Sequence, residues 1–269
     1  MTVASPSPSP VAARSYFADH RVVAYYGNPL SPILGILGDG DPEQMVVRLK
    51  QQTGAYAQID TGRPVTAALE LIEAVAQDTP TDNKLFLAYT EPEVVDRYSK
   101  LAQDNSMLLI LDEQIGRSTP EAETSRLIGR LSSPHVQLAL DPEFDMKPGE
   151  IPGDTLGSMD AADINQVQAM LEDVAVRNRL PSKILIIHLF QLDMLTHPDQ
   201  LRSYPHVDLV LDADGFGTRS IKEEKYQALI TARPAGHPGV KLFYKYDPNI
   251  WAPSDVLKLN PPPDVIIYQ

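Results

Sequence analysis

The 269-residue chain contains no cysteine. This absence excludes disulfides, thiol nucleophiles and thiolate metal ligands, although it leaves the cellular compartment open. No GxSxG motif marks a serine nucleophile, no HxH or HExxH spacing marks a metal site, and no Gly-rich loop follows an apolar run as in nucleotide-binding folds. The sequence therefore predicts no cofactor and, as the first interpretation, no metal.

Long apolar runs and positive charge are also scarce. No apolar segment approaches the roughly 20 residues that a helix needs to cross a bilayer. The 23 Lys and Arg residues are outnumbered by 36 Asp and Glu residues, which gives a net charge of -13. Because this charge repels phosphate backbones and anionic lipids, it disfavours nucleic acids and membrane surfaces as partners. We expect instead a neutral or cationic small-molecule ligand.

The amino-terminal residues are of low complexity. Residues 5–10 alternate serine and proline, a composition typical of an extended spacer between a folded domain and a surface. We interpret residues 1–14 as a disordered tether and residues 15–269 as one folded domain. This pattern predicts an extracellular protein at the cell surface, directed there by an upstream export signal. A disordered tail on a cytosolic protein is the alternative.

The most informative stretch is residues 135–144, HVQLALDPEF. Its apolar run is typical of a strand buried on both sides, and the run ends in Asp141, Pro142 and Glu143. We expect Pro142 to end the strand pairing, and the two acids, two positions apart on an extended chain, to point to the same side. Residues 107–114 and 207–214 repeat the pattern, so three buried strands are predicted to deliver polar pairs to one site.

Apolar segments alternate with helical patterns along the whole chain. Further strands are predicted at residues 21–26, 64–72, 183–188, 241–246 and 264–268, with a minor strand at 85–88. The local pattern leaves residues 64–72 open between strand and helix. Counted as a strand, this segment brings the number of main strands to eight, which is typical of a single-domain (β/α)8 TIM barrel. A doubly wound open sheet is the alternative, and the missing Gly-rich loop weakens it.

Polar residues end nearly every predicted strand, and in a barrel these ends meet at the face where activity resides. Paired carboxylates permit acid and base catalysis, as in glycoside hydrolysis, because like charges raise one pKa while the other group stays ionised. We predict Glu143 as the general acid, with Asp141 supplying the neighbouring charge. The candidates for the second catalytic carboxylate are Asp112, Asp214 and Glu70, which the sequence does not rank.

Other polar and aromatic side chains are predicted to contact the ligand: Tyr26, Gln114, His188, Asp212, Lys245, Trp251 and Tyr268. Sugar rings stack on aromatic faces, and a single tryptophan is little for a long polysaccharide groove. A small saccharide or cell-wall fragment is therefore the favoured ligand. Taken one at a time, these side chains also fit helix N-caps or salt bridges beneath loops.

Two other functions fit the same residues. In a metal-dependent hydrolase, His188 and several acids would hold a divalent ion. The acids available for this role are Asp112, Asp141, Glu143 and Asp214. A non-catalytic surface binding protein fits the predicted tether equally well.

Seven segments carry a family resemblance: RVVAYYGNP, PVTAALELIEAV, LLILDEQIGRS, VQLALDPEF, IHLFQLDM, DADGFGT and VIIYQ. Together they resemble a group of uncharacterised bacterial exported lipoproteins with a glycoside-hydrolase-like (β/α)8 barrel, over most of residues 21–269. The resemblance implies that residues 64–72 form the second strand, and that the protein is exported and lipid-tethered in its full-length form. The chain departs from the group at Leu189, where the group has glutamine, and at Asp212, where it has histidine. The resemblance implies no particular activity.

Overall fold

Eight segments of the chain form parallel strands that close into a barrel. The computed structural model describes residues 13–232 and 236–269. The strands are β1 (Arg21–Gly27), β2 (Val65–Ala76), β3 (Leu108–Gly116), β4 (Val136–Asp145), β5 (Lys183–Leu189), β6 (Val207–Ala213), β7 (His237–Leu242) and β8 (Val265–Tyr268). Each strand pairs with the next along the chain, and β8 pairs with β1, which closes the sheet. The predicted (β/α)8 TIM barrel is confirmed, and the open-sheet alternative is wrong.

Helices cover the outside of the barrel. They are α1 (Pro42–Ala57), α2 (Pro92–Asp104), α3 (Pro120–Leu131), α4 (Ala161–Asn178), α5 (Arg219–Ala232) and the single turn α6 (Pro253–Val256). The side chains of Asp41, Thr119 and Asp160 accept backbone N–H groups in the first turns of α1, α3 and α4, which fixes where these helices begin. Within the described residues, β5 and β6 are joined by short 3-10 turns in place of an α-helix.

Shorter elements complete the described chain. The 3-10 turns are Tyr16–Ala18, Ile36–Gly38, Leu192–Met194 and Pro198–Gln200, and the short strands are Leu87–Tyr89, Met159–Asp160 and Leu195–Thr196. The strand Leu87–Tyr89 pairs antiparallel with β2, close to the minor strand predicted at residues 85–88. No helix in the two described ranges is both long and apolar enough to cross a membrane. Residues 1–12 of the predicted tether lie outside the described residues.

The segment that the sequence left open between strand and helix is β2, a strand of 12 residues. Leu69 and Leu71 pack outward beneath the helices, whereas Ala68 and Ile72 face the barrel interior. Because both faces are buried, the strand shows no alternation of apolar and polar residues. Glu70 is the exception on the inner face, and it is fully buried.

Strand β4 continues past the proline that was expected to end it. Its pairing with β3 shifts register between Gln114 and Gly116, so Pro142 falls in an irregular stretch of the ladder. A proline is tolerated there because a bulge does not need its missing N–H group. Asp141 and Glu143 both line one cavity.

Strand β7 begins earlier than predicted and ends at Leu242 rather than at residue 246. Its first residues, His-Pro-Gly, are typical of a turn, which is why the sequence favoured the later segment. Gly239 lies opposite Asp212 in the sheet, and a Cβ atom there would lie 2.9 Å from Asp212 Oδ1. The corrected register makes Lys241 a buried residue of the strand and leaves Lys245 exposed in the following loop.

The lower part of the barrel interior is apolar. It is filled by Val22, Ala24, Ala68, Leu108, Ile110, Ala139, Ile184, Ile186, Val210, Val265 and Ile267. Phe17, in the turn before β1, packs against this cluster and against His237 at the start of β7, which closes the amino-terminal end of the barrel. Side chains with polar chemistry therefore gather at the opposite, carboxyl end, which we call the mouth.

Candidate active site at the barrel mouth

At the mouth, the inward-facing side chains change from apolar to charged. This polar layer consists of Tyr26, Glu70, Asp112, Gln114, Asp141, Glu143, His188, Asp212, Asp214 and Lys241. All are buried except Glu143, which is half-buried. They converge because side chains alternate across a strand, so each strand continues its inward-facing series up to the mouth. The carboxyl ends predicted to share one site do lie together.

His188 lies between two carboxylates. Its Nδ1 is 3.0 Å from Asp212 Oδ2, and its Nε2 is 3.1 Å from Glu70 Oε1. Burial and the nearby Lys241 disfavour the charged ring, but the hydrogen bonds to Asp212 and Glu70 outweigh them and raise the pKa of His188 well above its usual range. Both ring nitrogens thus face carboxylates, which favours the imidazolium form that donates to both.

Lys241 is the second buried cation of the polar layer. Its Nζ donates to Asp214 Oδ2 at 3.0 Å and lies 3.7 Å from the centre of the Tyr26 ring. Burial opposes the charged form, but the surrounding carboxylates, Asp214 and Asp141 first among them, raise the pKa of Lys241 above its usual range. The ammonium thus stays charged and holds Asp214 beside the ring of Tyr26.

The carboxyl groups of the polar layer have pKa values shifted in opposite directions. Burial disfavours ionised Asp214, but the two neighbouring cations outweigh it and lower the pKa of that carboxyl. Burial raises the pKa of Asp112 to about 6 and the pKa of Asp141 well above its usual range. Burial, reinforced by the charge of Asp214, also raises the pKa of Glu143. The layer therefore favours the ionised form of Asp214, whereas the pKa values of Asp112, Asp141 and Glu143 lie above their usual range.

A cavity of about 270 Å³ opens above the polar layer, and we call it the mouth cavity. Its polar lining is Tyr26, Gln114, Asp141, Glu143, Asp214, Lys241 and Gln269. Its aromatic lining is Phe144, Phe190, Phe216 and Phe243. Four residues of the polar layer do not line the cavity and are buried beneath it: Glu70, Asp112, His188 and Asp212. A ligand in the mouth cavity would thus contact an ionised and a protonable carboxyl, with aromatic rings beside them.

Three residues predicted to contact the ligand lie outside both the polar layer and the mouth cavity. Lys245 is exposed, and its Nζ donates to the carbonyl oxygen of Pro32. Trp251 is buried in the outer core between barrel and helices. Tyr268 also faces outward, where its hydroxyl lies 2.7 Å from that of Tyr56. These three predictions are corrected because the loop after β7 starts earlier than expected and because β8 directs Ile267, not Tyr268, into the barrel.

Three residues of the site were not predicted from the sequence: Lys241, and Phe190 and Phe243 of the aromatic lining. The alternating positions Gly239, Lys241 and Phe243 would have revealed the inner face of β7 if the strand had been started at His237. The His-Pro-Gly start concealed this alternation. Lys241, and not Lys245, is the lysine that lies among the acids.

A metal site was the alternative use of these acids. His188, Asp212 and Asp214 offer ligand atoms within 4.8 Å of one another, and Asp212 Oδ1 has no hydrogen-bond partner among the described residues. However, both ring nitrogens of His188 already face carboxylates, and the ammonium of Lys241 already pairs with Asp214. A divalent ion would have to displace a proton and compete with Lys241, so the donor set fits a metal poorly.

Comparison with known proteins adds little beyond the fold. No protein-family model matches the sequence, and no curated protein matches it. Similar solved structures include a GH5 xyloglucan-specific endo-β-1,4-glucanase from a metagenomic library in complex with cellotriose, with 12% identity, a TM-score of 0.41, and coverage of 86% of this chain and 79% of that one. ZgEngAGH5_4 in complex with a cellotriose has 10% identity, a TM-score of 0.48, and coverage of 96% and 90%.

A GH5-4 broad specificity endoglucanase from Clostridum cellulovorans has 12% identity, a TM-score of 0.39, and coverage of 86% of this chain and 76% of that one. Identities and scores this low carry no argument about chemistry. The strand order of the chain itself establishes the barrel. Any function has to be argued from the residues of the mouth.

Proposed function

We propose that the mouth cavity hydrolyses a glycosidic bond in a small saccharide. The observation that carries this proposal is the opposite shift of two carboxyl pKa values in one cavity: Asp214 is lowered and Glu143 is raised. Glycoside hydrolysis needs a proton donor for the leaving oxygen and an ionised carboxylate that acts on the sugar or on water. Environments that push two such pKa values apart indicate which group takes which role.

In this proposal Glu143 is the general acid. It is half-buried and lines the cavity, so its carboxyl can reach a substrate oxygen. Asp141 Oδ1 accepts the backbone N–H of Glu143 at 3.2 Å, so Asp141 positions the acid. The charge of Asp141 was predicted to raise the pKa of Glu143. Instead, the burial of Glu143 and the charge of Asp214 raise it. Burial raises the pKa of Asp141 as well.

Asp214 is the ionised partner in this proposal. Lys241 and the backbone N–H of Gly215 both donate to its carboxylate, which holds it in one orientation toward the cavity. Asp112 and Glu70, the other candidates for the second carboxylate, are bound to Tyr26 and His188 and do not line the cavity. Asp112 and Glu70 therefore act by holding the side chains of Tyr26 and His188 in place. Asp214 is therefore the base or nucleophile that we propose.

The ligand that best fits the cavity is a short saccharide or a cell-wall fragment. Aromatic rings beside carboxyl groups suit sugars, because a pyranose presents a C–H face for stacking and hydroxyls for hydrogen bonds. The cavity volume of about 270 Å³ lies just below the roughly 300–1,000 Å³ typical of small-molecule sites, so it holds a small ligand. The acidic net charge agrees with a neutral or cationic sugar.

We also propose that the protein is exported and lipid-tethered at the cell surface through residues 1–14. In support, Ser15 lies at the amino-terminal end of the barrel, with its hydroxyl 3.5 Å from His237 Nε2. A tether leaving from that end would let the mouth face away from the surface. Fractionation of cells that produce the full-length protein, with detergent release of the surface fraction, tests this placement.

The activity is tested by incubating the wild-type protein with a panel of 4-nitrophenyl glycosides and natural disaccharides near neutral pH. We expect release of product from at least one glycoside and no release by a Glu143→Gln, Asp214→Asn double variant. Thermal-shift measurements with the same sugars run in parallel. A sugar that binds in the mouth and is never cleaved would contradict the hydrolase and favour the second candidate, a non-catalytic binding protein.

A further inference from the structure

A second cavity, of about 400 Å³, adjoins the mouth on the outer side of β1 and β8. We call it the side cavity. Tyr244 and Tyr246 of the loop after β7 line it together with Ile33 of the loop after β1 and Arg48 of α1. Nothing in the proposed chemistry of the mouth uses these residues. The side cavity is therefore available for another role.

Tyr244 presents a fixed aromatic face to the side cavity. Its ring stacks on Tyr268 at 5.2 Å and 21°, and it meets the edge of Tyr25 at 6.4 Å. Its backbone N–H donates to the carbonyl oxygen of Gln269 at 2.8 Å. The side chain of Tyr244 nevertheless remains 45% exposed. A rigid, exposed ring loses little conformational entropy when a ligand stacks on it.

The side cavity and the mouth cavity share a boundary. Gln269 lines both, and Phe216 of the mouth cavity lies 5.5 Å from Tyr246 of the side cavity, ring centre to ring centre. Consecutive residues Phe243 and Tyr244 face the mouth and the side cavity respectively. A ligand that extends out of the mouth between β1 and β7 would therefore meet Tyr244 next.

The chemistry of the side cavity suits a sugar unit. Ile33 is 80% exposed and Tyr246 is 54% exposed, so both present apolar surface to which a ligand can bind on this side of the barrel. Arg48 lies at the rim beside Asp39, whose backbone oxygen accepts its Nη2 at 3.0 Å. The rim thus offers both donors and acceptors for hydroxyl groups, and the apolar surfaces offer a stacking face.

We propose that the side cavity binds the outer unit of an oligosaccharide whose inner unit occupies the mouth cavity. This inference rests on the proposed function, because it assigns the substrate as a chain of at least two units. Tyr244 supplies the stacking face, and Arg48 and Asp39 bind hydroxyls of the outer unit. The preferred substrate is then longer than the mouth cavity alone can hold.

Calorimetric titration tests the side cavity, with Glu143→Gln as the background so that no probe is cleaved. The probes are glucose with cellotriose, N-acetylglucosamine with chitotriose, and mannose with mannotriose. We expect at least one trisaccharide to bind ten times more tightly than its monosaccharide, or better. Tyr244→Ala should lower the affinity for that trisaccharide by about 3- to 10-fold, the range of one aromatic contact. The affinity for the monosaccharide should not change. Tyr244→Phe, which keeps the ring, should retain the affinity.

The outcomes separate the two proposals. The proposal for the side cavity is wrong if a monosaccharide and its trisaccharide bind with equal affinity, or if Tyr244→Ala leaves the trisaccharide affinity unchanged. Neither result contradicts the function proposed for the mouth. If none of these sugars binds, both proposals are wrong. Loss of affinity in both Tyr244→Ala and Tyr244→Phe would assign the effect to the hydroxyl and its contact with Gln52, and it would also contradict stacking.

Discussion

Replacing Lys241 with methionine should destabilise the barrel by about 3–5 kcal/mol, the usual effect of removing one partner from a buried ion pair. Lys241 is 2% exposed, and its Nζ is the ammonium that pairs with Asp214 inside the polar layer. Methionine preserves much of the side-chain volume but leaves the acids of the layer with His188 as their remaining buried cation. The free energy of unfolding in urea at pH 7 measures the effect.

Lys245→Met is the matched control. Lys245 lies four residues later and is exposed, so the same substitution there should change the free energy of unfolding by less than about 0.5 kcal/mol. The difference in unfolding free energy between Lys241→Met and wild type should shrink as the pH falls. Without the ammonium the pKa of Asp214 is no longer lowered, so the variant protonates this carboxyl at a higher pH than the wild type does. Equal loss of stability in the two variants would contradict the assignment of Lys241 as the counter-charge of the mouth.

Glu143→Gln should lower the turnover of any glycoside that the wild type cleaves by about 10²–10⁴, the range of a positioned general acid. Glutamine has nearly the same shape as glutamic acid but cannot transfer a proton. The backbone N–H of residue 143 would still donate to Asp141, so the strand end should keep its conformation. The turnover number and the dissociation constant, measured separately, distinguish lost chemistry from lost binding.

The control for Glu143→Gln is Glu93→Gln, the same change at an exposed position of α2. It should leave both turnover and binding unchanged. The unfolding midpoint of Glu143→Gln should match or exceed that of the wild type, because the substitution removes a half-buried acid. Full activity in Glu143→Gln would remove this residue from the acid role and leave the catalytic proposal without its donor.

Much of the fold was predictable because several strands are nearly continuous apolar runs. Strand β4 was recognised from the run that precedes Asp141, and β6 from the run that precedes Asp212. Strand β7 was misplaced because His-Pro-Gly is typical of a turn. Because the strand was predicted to start too late, Lys241 was not recognised as a site residue, and Lys245 was predicted to contact the ligand instead.

The electrostatics of the mouth could not be predicted from sequence spacing. Asp141 and Glu143 were expected to control each other because they are neighbours on one strand. In the barrel, the charge that most raises the pKa of Glu143 comes from Asp214 across the mouth. Asp214 in turn is kept ionised by Lys241 and His188, which come from two other strands. Contacts of this kind depend on how the barrel closes, and a strand pattern does not contain them.

The most direct test of the account is a titration of the individual carboxyl groups of the mouth. The wild-type protein, labelled with ¹³C in its Asp and Glu carboxyls, is followed by NMR as the pH is lowered, and Asp214→Asn and Glu143→Gln assign the two signals. The account predicts that Asp214 titrates below about 3.9 and Glu143 above about 4.3, the ordinary values for these residue types. Titration of both groups at their ordinary values, or in the reverse order, would contradict it.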